Sequence, residues 1–245
     1  MELLLLYAYS YFIGAIPTAY IIGRIVKGID LRDYGSGNVG GTNLFMHVGK
    51  WWILPHGIFE FFGKGASPIW LGVLLLDLNS NGSREYWSSP YLIGFEMNSL
   101  ALAGASLLAI AGHNWSVFLK FQGGRGIAPA SGAFLAIGFY QFFIFILGFL
   151  AGWSIFRSSA TVMMIVLLLL PVSALLIGQS YTIAWYFFGV ATIIALKRLT
   201  ANGMPDPASG STVKVLVNRL VKDRDISDRN AWIHRTPKST NNDSN

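Results

Sequence analysis

The chain has 245 residues, 53% of them hydrophobic and 12% charged, with a mean hydropathy of +0.50. A water-soluble domain carries roughly 25% charged residues to keep its surface wet, so the soluble class is excluded and the bilayer acts as solvent. The net charge of +6 is gathered between apolar runs, and the absence of cysteine closes disulfide, thiolate-metal and cysteine-nucleophile chemistry.

The run 3–26 is too long for the hydrophobic region of a cleaved leader and has no small-residue cleavage site behind it, so it predicts a retained membrane helix. Further apolar windows of about 20 residues predict spans at 52–76, 92–111, 139–156, 160–177 and 180–196. The segment 127–138 is apolar but short, and it contains Pro129. Lys and Arg collect on the cytoplasmic side of membrane proteins; here they sit in 24–50, in 120–125, at Arg157 and from Lys197 onward, whereas 77–91 carries only Arg84. If 127–138 crosses, every basic-rich segment falls on one side. The expectation is an all-α polytopic membrane protein with seven transmembrane helices, one of them short and buried among its neighbours, an outside N-terminus and a cytoplasmic C-terminus.

Residues 1–203 form the expected membrane domain and 204–245 a basic tail. Between 197 and 245 there are nine Lys and Arg against five Asp. Val213, Leu216, Val217, Leu220 and Val221 recur at helical spacing beside Lys214, Arg219, Lys222 and Arg224, which predicts an amphipathic helix, either on an anionic leaflet or solvated. From Asp225 the composition is polar and a frayed end is expected.

The connection after the first span contains Gly35, Ser36, Gly37, Asn38, Gly40, Gly41, Thr42 and Asn43. Four glycines in seven residues leave backbone N–H groups able to curl around an anion, and the Ser, Asn and Thr side chains add neutral donors; the alternative is a tight turn between helices. The string also fits G-x-G-x-x-G, but it follows a membrane helix rather than a buried strand, which excludes a dinucleotide fold. A second connection, 112–126, brings His113 at a helix end, then Gly123, Gly124, Arg125 and Gly126, a guanidinium bracketed by glycines and again suited to phosphate. His113 reads either as a donor to an oxyanion or as a helix cap. Trp115 and Phe118 read as interfacial anchors. Glu60 and Lys64, four apart in the second span, are either functional or a self-neutralising pair. No metal-ligand spacing is present.

Gly-Ser-Gly-Asn-Val-Gly-x-Thr-Asn at 35–43 and Gly-His-Asn-Trp-x-Val-Phe-Leu-Lys-Phe-x-Gly-Gly-Arg-Gly at 112–126 resemble the integral-membrane acyl-phosphate:glycerol-3-phosphate acyltransferases of bacterial phospholipid synthesis, the PlsY type. The likeness extends from about residue 4 to residue 203 and includes Gly14-Ala-Ile-Pro17, Asp30-Leu-Arg32, Gly49-Lys50, Lys64-Gly65 and Arg157. It implies seven spans in the bacterial inner membrane and an active site on the cytoplasmic face. It further implies transfer of an acyl chain from acyl phosphate to the sn-1 hydroxyl of glycerol 3-phosphate, with membrane lipids as surroundings, no cofactor and no nucleic acid. A substrate phosphate oxygen would accept the hydroxyl proton. No His-x4-Asp box is present: Trp52, Phe61, Phe118 and Ser239 lie five beyond the four histidines.

Carried over by position, Ser36, Gly37, Asn38, Gly40, Thr42 and Asn43 line the phosphate and hydroxyl sites with Lys64, Gly123, Gly124 and Gly126. Ser36 and His113 act at the reacting centre, and Arg125 replaces a family Lys. Met46 stands where the family has an Arg, and 192–195 where it has His-Arg-x-Asn. The family's Asp-x-x-Lys-Gly becomes Phe61-Phe-Gly-Lys64-Gly, with Glu60 one position early, and its Thr becomes Pro129. Each lost charge-assisted contact to phosphate costs about 1.5–3 kcal/mol, so a paralogue with another acceptor, or one that only binds acyl phosphate or lipid, is the second expectation. A small transporter is the third, disfavoured because the polar motifs sit in loops on one face rather than at midplane helix breaks.

Overall fold

The computed structural model describes residues 1–75, 97–156, 158–202, 211–226 and 228–236; Arg84 and Arg157 of the charge pattern lie outside them. The described residues are helical, without strands. Six stretches are long and apolar enough to cross a membrane: Glu2–Lys27, Lys50–Leu75, Ser99–Leu119, Phe139–Phe156, Ser159–Leu176 and Tyr181–Thr200, with Ile127–Ile137 as a shorter apolar helix. Five of the spans expected from composition are present to within a few residues at their ends; the third, expected at 92–111, runs seven to eight residues later, and the start of the expected range, 92–96, lies outside the described residues.

The first span is two helices, α1 (Glu2–Ala15) and α2 (Thr18–Lys27). Pro17 has no N–H to give and blocks a continuous ladder. The carbonyl of Ala15 that the break exposes accepts a hydrogen bond from Ser116 Oγ at 2.5 Å, as a bilayer interior requires. After α3 (Gly41–His47), the second span comprises α4 (Ile53–Ile58), a π-helical stretch Phe59–Ala66 and α5 (Ser67–Leu75). Then follow α6 (Met97–Asn114), the short α7 (Ile127–Ile137), α8 (Phe139–Phe156), α9 (Ser159–Leu176) and α10 (Tyr181–Thr200).

Close backbone approach sets the packing at the centre. Gly14 lies on the Ala109 carbonyl and Gly112 on the Tyr11 carbonyl, so α1 and α6 touch, and with Gly104 beside Tyr7 at one end and Ser116 at Ala15 at the other they run parallel. Gly65 and Gly132 let the π-helical stretch press on α7, where a Cβ at either position would meet Pro129 or Phe61 carbonyl oxygen. Phe134 of α7 is fully buried and packs its ring against Phe145 of α8 and against Tyr186 and Phe187 of α10. A smaller core of Leu31, Val39, Leu44, Val48 and Leu119 lies beneath the first glycine loop.

At about 1.5 Å per residue, α7 covers roughly 16 Å, half of a hydrocarbon core. It nevertheless carries the chain away from the loop end, to Gly138 beside Phe187. From there α8 and α9 pack antiparallel, with Gly148 on Val166 and Gly152 on Val162. Both glycine loops, the start of α9 and the end of α10 consequently share one end of the bundle, as charge parity demanded.

The tail joins that end. In α11 (Thr212–Lys222), Val215, Asn218 and Arg219 are buried, while Val213, Leu216, Val217 and Val221 face outward. Arg219 donates to the Leu199 carbonyl and Arg198 to the Leu220 carbonyl, at 3.2 and 2.9 Å. Beyond Asp225, where fraying was expected, Asp228 caps α12 (Arg229–Ile233), and the Arg235 carbonyl accepts from the Gly35 amide at 2.8 Å.

Candidate active site

The first glycine loop is held from within. Asn43 Nδ2 reaches the carbonyls of Leu31, Tyr34 and Asn38 at 2.9, 2.8 and 3.1 Å, so its amide is committed to loop shape. Ser36 Oγ accepts from the Asn38 amide at 3.2 Å. Gly35 and Gly37 take φ of 51° and 67°, a region open to glycine at little cost. Gly40 caps α3, and Thr42 is exposed on its first turn. At the loop's entry Asp30 accepts from Arg32 Nη2 at 2.7 Å and from Arg24 Nη2 at 2.9 Å. The Arg32 hydrogen bonds hold its carboxyl below the usual carboxylate range.

The two loops meet. Asn202, just beyond α10, donates through Nδ2 to the Gly37 carbonyl at 2.9 Å and to the Gly123 carbonyl at 2.7 Å. Its Oδ1 accepts from the Gly123 amide at 3.3 Å and from the buried Lys197 Nζ at 2.7 Å. Arg125 joins the same cluster. With the Asn38 amide oxygen turned toward the guanidinium, Arg125 donates to it through Nε and Nη2 at 3.0 and 3.1 Å. It also donates to the Lys197 carbonyl at 2.8 Å and pairs with Asp223 at 2.7 Å. Gly126, with φ of 77°, turns the chain into α7.

Deeper in the bundle lies a second polar cluster. Glu60 and Lys64 are each 1% exposed and form an ion pair at 2.5 Å. Glu60 also accepts from Thr18 Oγ1 at 2.5 Å and faces His113 Nδ1 at 2.7 Å. Thr18 Oγ1 lies 3.0 Å from His56 Nδ1. Glu60 and Lys64 lie four apart in the π-helical stretch, and their side chains meet on one side of it. An isolated buried charge would be prohibitive, and here it is paired and hydrogen-bonded. Thr18, Glu60, Lys64 and His113 line a small cleft together with Val39 of the first loop and Gly123 and Gly124 of the second.

The sequence profile of the glycerol-3-phosphate acyltransferase family matches residues 4–202. The chain belongs to this family. Among its relatives, glycerol-3-phosphate acyltransferase 4 of Dehalococcoides mccartyi strain CBDB1 is 35% identical over 239 residues, covering 92% of this chain and 90% of the relative. Glycerol-3-phosphate acyltransferase 2 of Moorella thermoacetica is 40% identical over 141 residues, 56% of this chain and 61% of that one. The fold is that of PlsY (YgiH), an integral membrane glycerol 3-phosphate acyltransferase solved in its glycerol 3-phosphate form, with a TM-score of 0.67 at 23% identity over 81% of this chain and 88% of that structure.

Within the family frame, the departures at 46 and 192–195 place uncharged residues there. Met46 is 40% exposed on α3, and the neighbouring His47 ring packs on Tyr34 at 5.3 Å. Thr192 turns its hydroxyl to the Phe188 carbonyl, and Ile194 is core. Sequence reading missed Thr18, His56, Lys197, Asn202 and Asp223. Lys197 at the end of an apolar run was a usable signal; an Asn past a helix end reads only as a cap.

Proposed function

We propose that this protein transfers an acyl chain from acyl phosphate to the sn-1 hydroxyl of glycerol 3-phosphate, giving 1-acylglycerol 3-phosphate and inorganic phosphate, at the cytoplasmic face of the bacterial inner membrane. The observation that carries this reading is the union of both glycine loops through Asn202, with Arg125 and Lys197 at the junction. Ser36, Gly37, Asn38, Gly40 and Thr42 with Gly123, Gly124, Arg125 and Gly126 contribute the polar wall for phosphate, and Asn43 keeps the first loop in shape. Phosphate is already a good leaving group, so the protein's work is positioning and charge screening. The cleft lined by His113 and Lys64 is the place for the reacting carbonyl.

A second reading keeps the acyl-phosphate half and changes the acceptor; it is favoured by the uncharged residues at 46 and 192–195. Purified protein given acyl phosphate and a panel of hydroxyl acceptors distinguishes them. The first reading expects lysophosphatidic acid and phosphate in equal amounts with glycerol 3-phosphate. Folded protein that forms no such product beside an active control enzyme contradicts it, and product with another acceptor alone establishes the second.

A further inference from the structure

The outer face of the tail helix α11 is ill suited to water. Its 11 residues include four valines and no acid, and its cations are Lys214, Arg219 and Lys222. An isolated helix shorter than about 12–15 residues is marginal in water, and Val is a mediocre helix former, so packing must hold it. One side is packed on the bundle, where Val215, Asn218 and Arg219 are buried and Leu220 joins the main core. The opposite side is apolar and bare. Val213, Leu216, Val217 and Val221 recur as a single helical stripe, with Val213 72% and Val217 55% exposed. The seat of the helix decides what covers that stripe. Thr161 Oγ1, in the first turn of α9, donates to the Val221 carbonyl at 3.1 Å. Thr161 shares one face of α9 with Ile165, Leu168 and Val172, all exposed, which is the face a spanning helix turns to lipid. Arg219 and Arg198, bonded to the Leu199 and Leu220 carbonyls, fix α11 against the end of α10. The stripe of α11 therefore adjoins the lipid-facing surface of the bundle.

We propose that α11 is an interfacial helix whose outward stripe enters the leaflet on the glycine-loop side of the bundle, with Lys214 and Lys222 gathering anionic lipid headgroups around it. The surface lies outside the family-matched residues 4–202 and is independent of the acyl-transfer reading. An apolar stripe with a cationic border sinks about 5–10 Å into the boundary between headgroups and acyl chains. The carboxylates that follow α11 are already engaged, Asp223 with Arg125, Asp225 with Arg235 and Asp228 with the first amides of α12. Among the described residues neither Lys214 nor Lys222 pairs with a carboxylate, so both charges are left for headgroup phosphates, and their long stems let the ammonium groups rise out of the apolar layer. A solvated helix would mix both signs on its outer face, and a second copy of this stripe would set lysine against lysine. Because α11 is capped by Asp223, which pairs with Arg125 at 2.7 Å, its seat in the leaflet also fixes where that carboxylate stands.

The chain has no cysteine, so Val217→Cys and Leu168→Cys each take a single bimane label on the full-length protein in nanodiscs of mixed phosphatidylcholine and phosphatidylglycerol. Bromine on the acyl chains of one lipid or the other, at equal mole fraction, quenches a label in contact with that lipid. The label at 168, on the exposed face of α9, should be quenched by both and sets the immersed limit. The label at 217 should also be quenched, with a quenching constant for brominated phosphatidylglycerol at least about threefold above that for brominated phosphatidylcholine, since one Lys near an anionic surface is worth about fivefold. Adding Lys214→Gln and Lys222→Gln should bring the two constants to within about 1.5-fold of each other while quenching itself persists. A label at 217 that stays unquenched while that at 168 is quenched places the stripe in water or against protein and overturns the proposal. Equal quenching by the two lipids with both lysines present, or a preference that survives their removal, overturns it as well. Val213→Cys repeats the measurement should a label at 217 disturb α11.

Discussion

The carboxylate of Asp223 lies 2.7 Å from Nε of Arg125. The guanidinium that the sequence offers to phosphate is therefore already holding an anion, supplied by a tail that lies beyond residue 202, where the family match ends. Asp223 takes a left-handed backbone conformation, φ 56°, at the end of α11. Arg198 reaches the same oxygen at 4.0 Å. The tail is thus an internal competitor for the cationic end of the site. Asp223→Asn is expected to strengthen competitive inhibition by inorganic phosphate roughly threefold to tenfold, on the order of 1 kcal/mol. Inhibition constants measured with wild type and variant decide it; weaker inhibition in the variant would make Asp223 a support for Arg125 instead.

Asn202 is the mechanical joint between the loops, with two donations and two acceptances across them and to Lys197. Asn202→Ala removes all four and strands the buried Lys197 Nζ. A loss of about 1–3 kcal/mol in stability follows from an unsatisfied buried polar group. A lower melting temperature and a raised KM for the phosphate-bearing acceptor are the expected readings; Asn202→Asp, which keeps the oxygen toward Lys197, should recover part of the loss.

Asp30 anchors the entry to the first loop, and its carboxyl is held low chiefly by the Arg32 hydrogen bonds. A carboxylate lowered in the folded state contributes stability that is present above its unfolded value, about 3.9, and is lost as pH falls through the folded value. Asp30→Asn should therefore melt below wild type at pH 7, and the gap should close as the solution is acidified below the unfolded value. A gap that stays constant with acidification would show that the charge on Asp30 contributes nothing.

Gly132 lies where α7 meets the π-helical stretch, and a Cβ there would run into the Phe61 carbonyl. Backbone cannot step aside as a side-chain tip does, so Gly132→Ala is expected to destabilise by about 1–3 kcal/mol. Gly40 has open space around the position of a Cβ and an extended φ of −146°. Gly40→Ala should retain the wild-type melting temperature. Thermal melts of the two variants side by side give the comparison.

Much of this was legible from residues alone. Apolar length gave the spans, because a bilayer admits only closed hydrogen-bond ladders, and the single-sided distribution of Lys and Arg required α7 to carry the chain across. The strings at 35–43 and 112–126 carry the resemblance to the family, which the match over residues 4–202 bears out. Sequence distance hid the rest. Asn202 reaches Gly37 across 165 positions, and nothing local marks an Asn after a helix as a clamp. Glu60 stands one position before the family's acidic residue, and nothing in the sequence marks the π-helical stretch in which it meets Lys64. The run 3–26 reads as one helix, whereas the structure breaks it at Pro17 and turns Thr18 onto Glu60.

The central claim is that segments 35–43 and 112–126 grip one phosphate between them. Equilibrium binding of inorganic phosphate to wild type, Ser36→Ala and Arg125→Gln tests it directly. One shared site predicts that each substitution weakens binding on its own, at least about threefold for the neutral hydroxyl and tenfold or more for the charged fork. Affinity that drops for one segment's variant and stays at the wild-type value for the other would contradict it.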